Sequence, residues 1–149
     1  MKTGYDLVVA GAGPGGSWAA KKGAEAGLSV LLLEKDRTVG LPVRCAEGVS
    51  EKGLRDLVEP RERWIAQIVE GACFFAPDGT QIEAYPDERG YILHRALFDN
   101  DLALLAAGAG ADVYTDAPVT GLCLSADSCV TGVRVRTRGS EKQIACSIV

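Results

Sequence analysis

Tyr5-Asp6-Leu7-Val8-Val9-Ala10-Gly11-Ala12-Gly13-Pro14-Gly15-Gly16, completed by Ser29-Val30-Leu31-Leu32-Leu33-Glu34, carries the architecture of this chain. Residues 5–10 form a short apolar run bounded by turn residues, the pattern of a strand buried on both faces of a parallel sheet. A glycine-rich turn follows at residues 11–16, and residues 17–26 have helical composition. Gly27 stands where a left-handed cap ends such a helix. Residues 29–33 make a second apolar strand that closes on Glu34. Strand, turn, helix and strand together fill about 30 residues, the size of one βαβ unit.

The turn fits G-x-G-x-x-G, which alone is a weak signal. A strand before it, a helix after it and an acid closing the next strand are the context that makes it specific. Glu34 stands eighteen residues after Gly16, close to the ~20 of dinucleotide-binding units. Gly11 permits a tight exit from the strand, Gly13 lets the backbone approach a pyrophosphate, and Gly16 lets the helix pack against the sheet. Amides at the helix start, with the positive end of its dipole, favour phosphate. Glu34 accepts hydrogen bonds from an adenosine ribose and repels a 2′-phosphate, which argues for FAD or NAD over NADP. The plain alternatives are a tight turn with no ligand and a solvated carboxylate. Trp18 departs from the usual pattern, since a smaller residue is common so early in the helix.

Outward from this unit, residues 35–60 read as irregular, with a loop through Gly48 and a short helix near residues 50–57 that the Ser50 hydroxyl can cap. Residues 68–75 and 81–85 read as two strands joined by a turn at Pro77-Asp78-Gly79. Residues 95–107 read as a helix with Phe98, Leu102 and Leu105 on one face, ended by Gly108-Ala109-Gly110. Residues 112–115 read as a short parallel strand. Residues 119–124, 130–137 and 142–149 read as an antiparallel three-stranded meander. Val133 and Val135 alternate there with Arg134, Arg136 and Arg138, the sign of a half-exposed strand. The fold class is therefore α/β: a Rossmann-like βαβ fold with a parallel sheet and a meander, expected as one domain over residues 1–149. The apolar end of the chain, residues 144–149, reads as a strand whose partners are absent, so the domain is expected to be incomplete.

Bulk properties narrow the function. With 16 Lys and Arg against 20 Asp and Glu and a net charge of −4, nothing supports nucleic-acid binding, which needs a clustered basic surface. No apolar run approaches the ~20 residues of a membrane-spanning helix, and no signal peptide is evident. The five cysteines are widely spaced without Cys-x-x-Cys, which indicates neither a disulfide framework nor a metal site. Free thiols point to a reducing, cytoplasmic setting, with peripheral membrane contact left open. Cys73, Cys123, Cys129 and Cys146 read as core residues or bystanders, and the lone His94 receives no role.

Two further stretches separate FAD from NAD. Gly40-Leu41-Pro42-Val43-Arg44-Cys45-Ala46-Glu47-Gly48 and Gly90-Tyr91-Ile92-Leu93-His94-Arg95-Ala96-Leu97-Phe98-Asp99, with the glycine turn, resemble the geranylgeranyl reductase family of FAD enzymes. That family lies within the wider class that includes para-hydroxybenzoate hydroxylase. The resemblance implies that Gly13 and Gly15, with Gly11 and Gly16 shaping their turn, lie against the FAD pyrophosphate. It also implies that Glu34, with Lys35 beside it, holds the adenosine. Arg44, Cys45, Ala46 and Gly48 would run beside the flavin, Arg95 would reach its phosphate or ribityl region, and Val119 would offer backbone near the adenine. A guanidinium suits phosphate by its planar fork of donors; a helix-end ion pair is the alternative for Arg95. Cys45 is the one candidate catalytic residue, as a thiol that sets proton delivery or substrate position, against simple proximity to the flavin.

The resemblance implies a prenyl-lipid substrate whose isoprenoid double bonds are reduced, and a reduced nicotinamide or ferredoxin as electron donor. A Gly-Ala-Asp-Gly-like segment, a later Asp-containing segment and a substrate domain would complete such an enzyme; none is in these 149 residues. The rival readings are a non-catalytic nucleotide-binding module and a flavin monooxygenase or electron-transferring dehydrogenase. The Arg44-Cys45-Ala46-Glu47-Gly48 run weighs against the last.

Overall fold

The computed structural model describes residues 1–85, 88–137 and 139–149, so Arg138 of the alternating arginines lies outside the described residues. In chain order the elements are β1 (Gly4–Ala10), α1 (Pro14–Glu25), β2 (Val30–Leu33), β3 (Gly48–Ser50), α2 (Glu51–Arg55), β4 (Ile65–Val69), β5 (Ala72–Phe75) and β6 (Gln81–Ala84). They continue as β7 (Gly90–Leu93), α3 (Arg95–Gly108), β8 (Asp112–Tyr114), β9 (Val119–Leu124), β10 (Val130–Thr137) and β11 (Ser140–Ile148). Two units form: Met1–Pro42 with Asp99–Val149, and Val43–Phe98.

The first unit is built on a six-stranded sheet of order β8-β2-β1-β11-β10-β9. β8, β2, β1 and β11 run parallel, while β11-β10 and β10-β9 are antiparallel. The βαβ unit is as expected, except that α1 begins at Pro14, so the second half of the glycine turn is already the helix's first turn. Proline suits that first position, where its missing N–H has no intrahelical partner to lose. Gly27, at φ +86°, ends the helix: Leu28 N–H donates to Gly23 and Gly27 N–H to Ala24. This is the pair of bonds that satisfies the last carbonyls of a helix at a left-handed glycine.

β2 shows why its residues are apolar without interruption. Leu31 and Leu33 pack with Val133, Val135, Ile144 and Cys146, whereas Val30 and Leu32 pack with Ala20 of α1 and Ala103 and Ala106 of α3. A strand covered on both faces has no wet side to carry polar residues. In α3 the buried stripe is Phe98, Leu102 and Ala106, with Leu105 only half-buried, a small rotation from the expected face.

The meander is present but its third strand corrects the expectation. It starts at Ser140, and residues 140–145 pair with β10 while Ala145, Cys146 and Ile148 pair with β1. β11 thus changes partner at Ala145, and the apolar residues expected to lack partners have β1 beside them. Arg134 and Arg136 do face outward around the buried Val133 and Val135.

In the second unit, β3-β7-β4 form an antiparallel sheet and β5-β6 a hairpin. Gly48, expected in a loop, begins β3. Residues 68–75, expected as one strand, are two, broken at Glu70-Gly71, and β7 had no sequence counterpart. The hairpin turn at residues 77–79 is as expected, with Gly79 at φ +88°. Ser50 caps α2 as expected, its hydroxyl accepting from Gly53 N–H at 3.0 Å. Trp64 is fully buried and meets the Phe98 ring edge-on at 5.2 Å.

Tyr5 ties β1 to the sheet edge. Its hydroxyl donates to Asp112 at 2.7 Å and accepts from Lys2 N–H at 3.0 Å. Burial, then the carboxylate of Asp112, pushes its pKa from 10.0 up to about 12. A folded-state pKa above the unfolded one gives stability that is complete below pH 10.0 and is lost as pH rises through about 12. The wild-type chain is therefore expected to lose more stability across that window than Tyr5→Phe does, read as urea midpoints at each pH. Parallel curves would show that Tyr5 ionises freely in the folded chain.

Candidate functional site

β1 is where the sheet order reverses, since the chain passes from β1 through β2 to β8 on one side and returns as β11 on the other. In open sheets of this kind the crevice at the carboxyl ends of such strands is the ligand site. A crevice of about 320 Å³ lies there, lined by Ala10, Gly11, Leu33, Glu34, Lys35, Pro118 and Val119. Gly11, Glu34, Lys35 and Val119, singled out in sequence, are thus brought together. The backbone explains how Val119 arrives: Glu34 N–H donates to Tyr114, Ala117 N–H to Glu34, and Asp116 N–H to Asp36. These bonds lay residues 114–117 along the end of β2 and deliver Pro118, which the sequence did not mark, to the crevice.

The four glycines divide by what they do. Gly11 has φ +107°, a conformation costly for any residue with a Cβ. A Cβ on Gly16 would stand 1.9 Å from the Gly11 carbonyl oxygen. Both are therefore required by the fold. A Cβ on Gly13 or Gly15 would meet no atom of the chain within 4 Å, and neither has positive φ. The fold has no need of glycine at either place, and a group lying against the backbone from outside would find room there.

The end of α1 is electrostatically open. Gly13 is its N-cap and supplies no side-chain bond, and the first turn holds no acid. α2, by contrast, has both the Ser50 cap and Glu51 in its first turn. Amides of a first turn have no intrahelical acceptor, so those of Gly15 and Gly16, with the helix dipole, suit an anion.

Glu34 has work inside the chain as well. Its Oε2 accepts from Ala12 N–H at 2.8 Å and its Oε1 from Asp36 N–H at 3.0 Å. The Ala12 amide is therefore spent on Glu34 and leaves the set available to a phosphate. A carboxylate has about four acceptor positions, so two bonds leave room for ribose hydroxyls. Trp18 is half-buried, with the ammonium groups of Lys21 and Lys22 at 4.9 and 5.2 Å from its ring.

In the second unit, Gly48 pairs with Ile92, and Leu93 N–H donates to the Glu47 carbonyl at 3.0 Å. The two sequence stretches that carry the resemblance are thereby joined, with residues 44–47 and Arg95 at the same end of the β3–β7 ladder. Arg44, Cys45, Ala46 and Gly48 are exposed, Glu47 has φ +66°, and Arg95 is half-buried at the first position of α3. Cys146 is buried, as a core thiol should be, whereas Cys73 and Cys129 are exposed. His94 is exposed, and its N–H donates to the Trp64 carbonyl. No helix among the described residues is long and apolar enough to cross a membrane.

Comparison with known proteins agrees with this geometry. Residues 6–88 match the family described as FAD binding domain. A digeranylgeranylglycerophospholipid reductase of Methanosarcina mazei is 48% identical over all of this chain and 37% of its own length. A crystal structure of a geranylgeranyl bacteriochlorophyll reductase-like protein from Thermoplasma acidophilum superposes with a TM-score of 0.84 at 37% identity, covering 96% of this chain and 37% of that one. A myxobacterial FAD-dependent chondrochloren halogenase gives 0.76 at 26% identity, over 97% of this chain and 36% of its own. The chain spans little more than a third of the length of each. It belongs to the FAD binding domain family, with FAD as its cofactor, and corresponds to the amino-terminal part of geranylgeranyl reductase-like flavoproteins.

Proposed function

We propose that this chain is the cofactor-holding part of an enzyme that reduces isoprenoid double bonds in prenyl lipids. The observation that carries the binding half is the pair Gly13 and Gly15, glycines in the turn before and within the start of α1 where a Cβ would meet no atom of the chain within 4 Å, as a backbone left open to a diphosphate would be. The lipid half rests on a relative named for a digeranylgeranylglycerophospholipid, 48% identical over the whole of this chain. The FAD that these residues would hold would supply the redox chemistry: reduced by a nicotinamide or a ferredoxin, it would provide a hydride for a carbon–carbon double bond, with the proton coming from elsewhere.

The residues here have holding and aiming roles. The backbone at Gly13 and Gly15 lies along the diphosphate, the amides of the first turn of α1 offset its charge, and Glu34 takes the adenosine ribose beside Lys35 and Val119. Gly11 and Gly16 keep that turn in shape. In the second unit, Arg44, Cys45, Ala46, Gly48 and Arg95 keep the flavin-side roles the resemblance implies, with Cys45 the candidate for setting proton delivery or substrate position. A lipid substrate would favour peripheral contact with a membrane.

Residues 1–149 alone are expected to hold FAD weakly and to leave prenyl lipids unreduced. Flavin absorbance after adding FAD and desalting checks the first, and tight stoichiometric yellow protein would overturn it. For the second, a digeranylgeranyl phospholipid is incubated with FAD and dithionite. It should gain the mass of two hydrogens per double bond only with a protein extended to its relatives' length. No gain with the extended, flavin-loaded protein would sink the lipid half of the proposal.

A further inference from the structure

Ser17 is fully buried in α1, where alanine would pack as well and favour the helix more. A buried helical serine usually returns its hydroxyl to the carbonyl four residues back in its own helix. Here the Ser17 hydroxyl donates out of the helix instead, to the Ala12 carbonyl in the glycine turn at 3.0 Å. That carbonyl belongs to the same peptide plane as the Gly13 N–H, and in a trans peptide the two point in opposite directions. Holding the oxygen at the buried Ser17 turns the Gly13 N–H the opposite way, and Gly13 itself is open enough that a Cβ there would meet no atom of the chain within 4 Å. The preceding peptide is held as well, since Ala12 N–H donates to Glu34. Ala12 is itself fully buried, so both peptide planes around it are fixed before any ligand arrives.

We infer that Ser17 is a positioning residue for the cofactor, aiming the Gly13 amide at the diphosphate by clamping the Ala12 carbonyl. The inference rests on the proposed diphosphate site at this turn. Preset donors avoid the cost of reorienting a peptide on binding, so removing the clamp weakens the phosphate contact selectively.

The test titrates ¹⁵N-labelled chain with ADP and, separately, with adenosine, which lacks the diphosphate. In the wild type, ADP should shift the Gly13 amide resonance and bind more tightly than adenosine. Ser17→Ala should keep the remaining spectrum, which shows that it folds, while its ADP dissociation constant rises about tenfold, one hydrogen bond's worth. Its adenosine affinity should change less than about twofold, a margin well below that loss. Ser17→Cys, similar in size with a weaker donor, should fall between the two. Equal losses for ADP and adenosine would make Ser17 merely structural and overturn the inference, as would an unchanged Gly13 shift in Ser17→Ala. If the wild type binds adenosine and ADP alike, the diphosphate reading of the turn fails first.

Discussion

Gly13→Asp is expected to make the chain more stable by about 0.5–1 kcal/mol while lowering its affinity for FAD at least ~100-fold. The two effects have opposite signs because one set of amides serves both. Gly13 is the N-cap of α1 with extended backbone, φ −69° and ψ 179°, which aspartate adopts without strain. Its carboxylate would accept from the first-turn amides that now lack a side-chain cap, and would sit at the positive end of the dipole. Those are the bonds and the charge that a diphosphate is proposed to use, and each such bond to a charged group contributes roughly 1.5–3 kcal/mol. Thermal melts without cofactor and FAD titrations by flavin fluorescence measure the two halves. Because the isolated chain is expected to bind weakly, the titration is made in parallel on a protein of the relatives' length. A variant that is stabilised yet keeps its FAD affinity would show that the turn does not hold the diphosphate.

That opposition was legible in sequence only in part. β1, α1 and β2 follow one another with their turn and caps inside a short contiguous stretch, so apolar runs, glycine spacing and the acid at position 34 were enough to read them. Gly27 and Ser50 were readable for the same reason, since a cap acts within its own helix. β3 and β7 were not. Three or four residues show too little alternation to mark a strand, and Gly48 becomes one only by pairing with Ile92, far along the chain. Residues 68–75 misled because both sides of Glu70-Gly71 are apolar, and a corner does not alter that pattern. The end of β11 misled for a different reason: its apolar residues were visible, but a change of partner at Ala145 leaves no mark on composition.

The candidate site divides likewise. Gly11, Gly16 and Glu34 were set by spacing from a recognisable turn. The turn-shaping roles of Gly11 and Gly16 and the open approach at Gly13 follow from their places in the pattern, whereas the size of the clash at Gly16 needs the atoms around its missing Cβ. Pro118 and Val119 reach the crevice through backbone bonds from residues 114–117 to residues 34–36, and backbone bonds carry no side-chain signature. Ser17 carries no distinguishing mark in sequence, because a serine inside a helix has several uses and only the direction of its hydroxyl separates them. The use of the Ala12 amide by Glu34 was also hidden, and it moves the count of free donors one residue along the turn.

Gly16→Ala should be the most damaging of the small substitutions in α1, costing about 3 kcal/mol or more. The new Cβ would stand 1.9 Å from the Gly11 carbonyl oxygen and 3.1 Å from its carbon, both backbone atoms. The turn has little freedom to yield. Gly11 N–H is bonded to Leu33 at 2.7 Å, and the next amide is held by Glu34. The helix must therefore tilt away from the sheet, which opens the packing of Ala20 against Val30 and Leu32. Gly23→Ala, one face of the same helix, is the control. Its Cβ would approach the Leu7 Cδ2 at 2.8 Å, the end of a half-buried side chain that can turn aside, and the Val30 Cγ2 at 3.2 Å, which must give by only a few tenths of an ångström. The gain in helix propensity of ~1 kcal/mol offsets that crowding, so this variant should melt close to wild type. A total stability of typically 5–15 kcal/mol makes the first loss readily measured by urea unfolding. Equal melting of the two variants would mean that the approach of α1 to the sheet is looser than these distances require, and the tight strand–turn–helix geometry on which the proposed phosphate site depends would go with it.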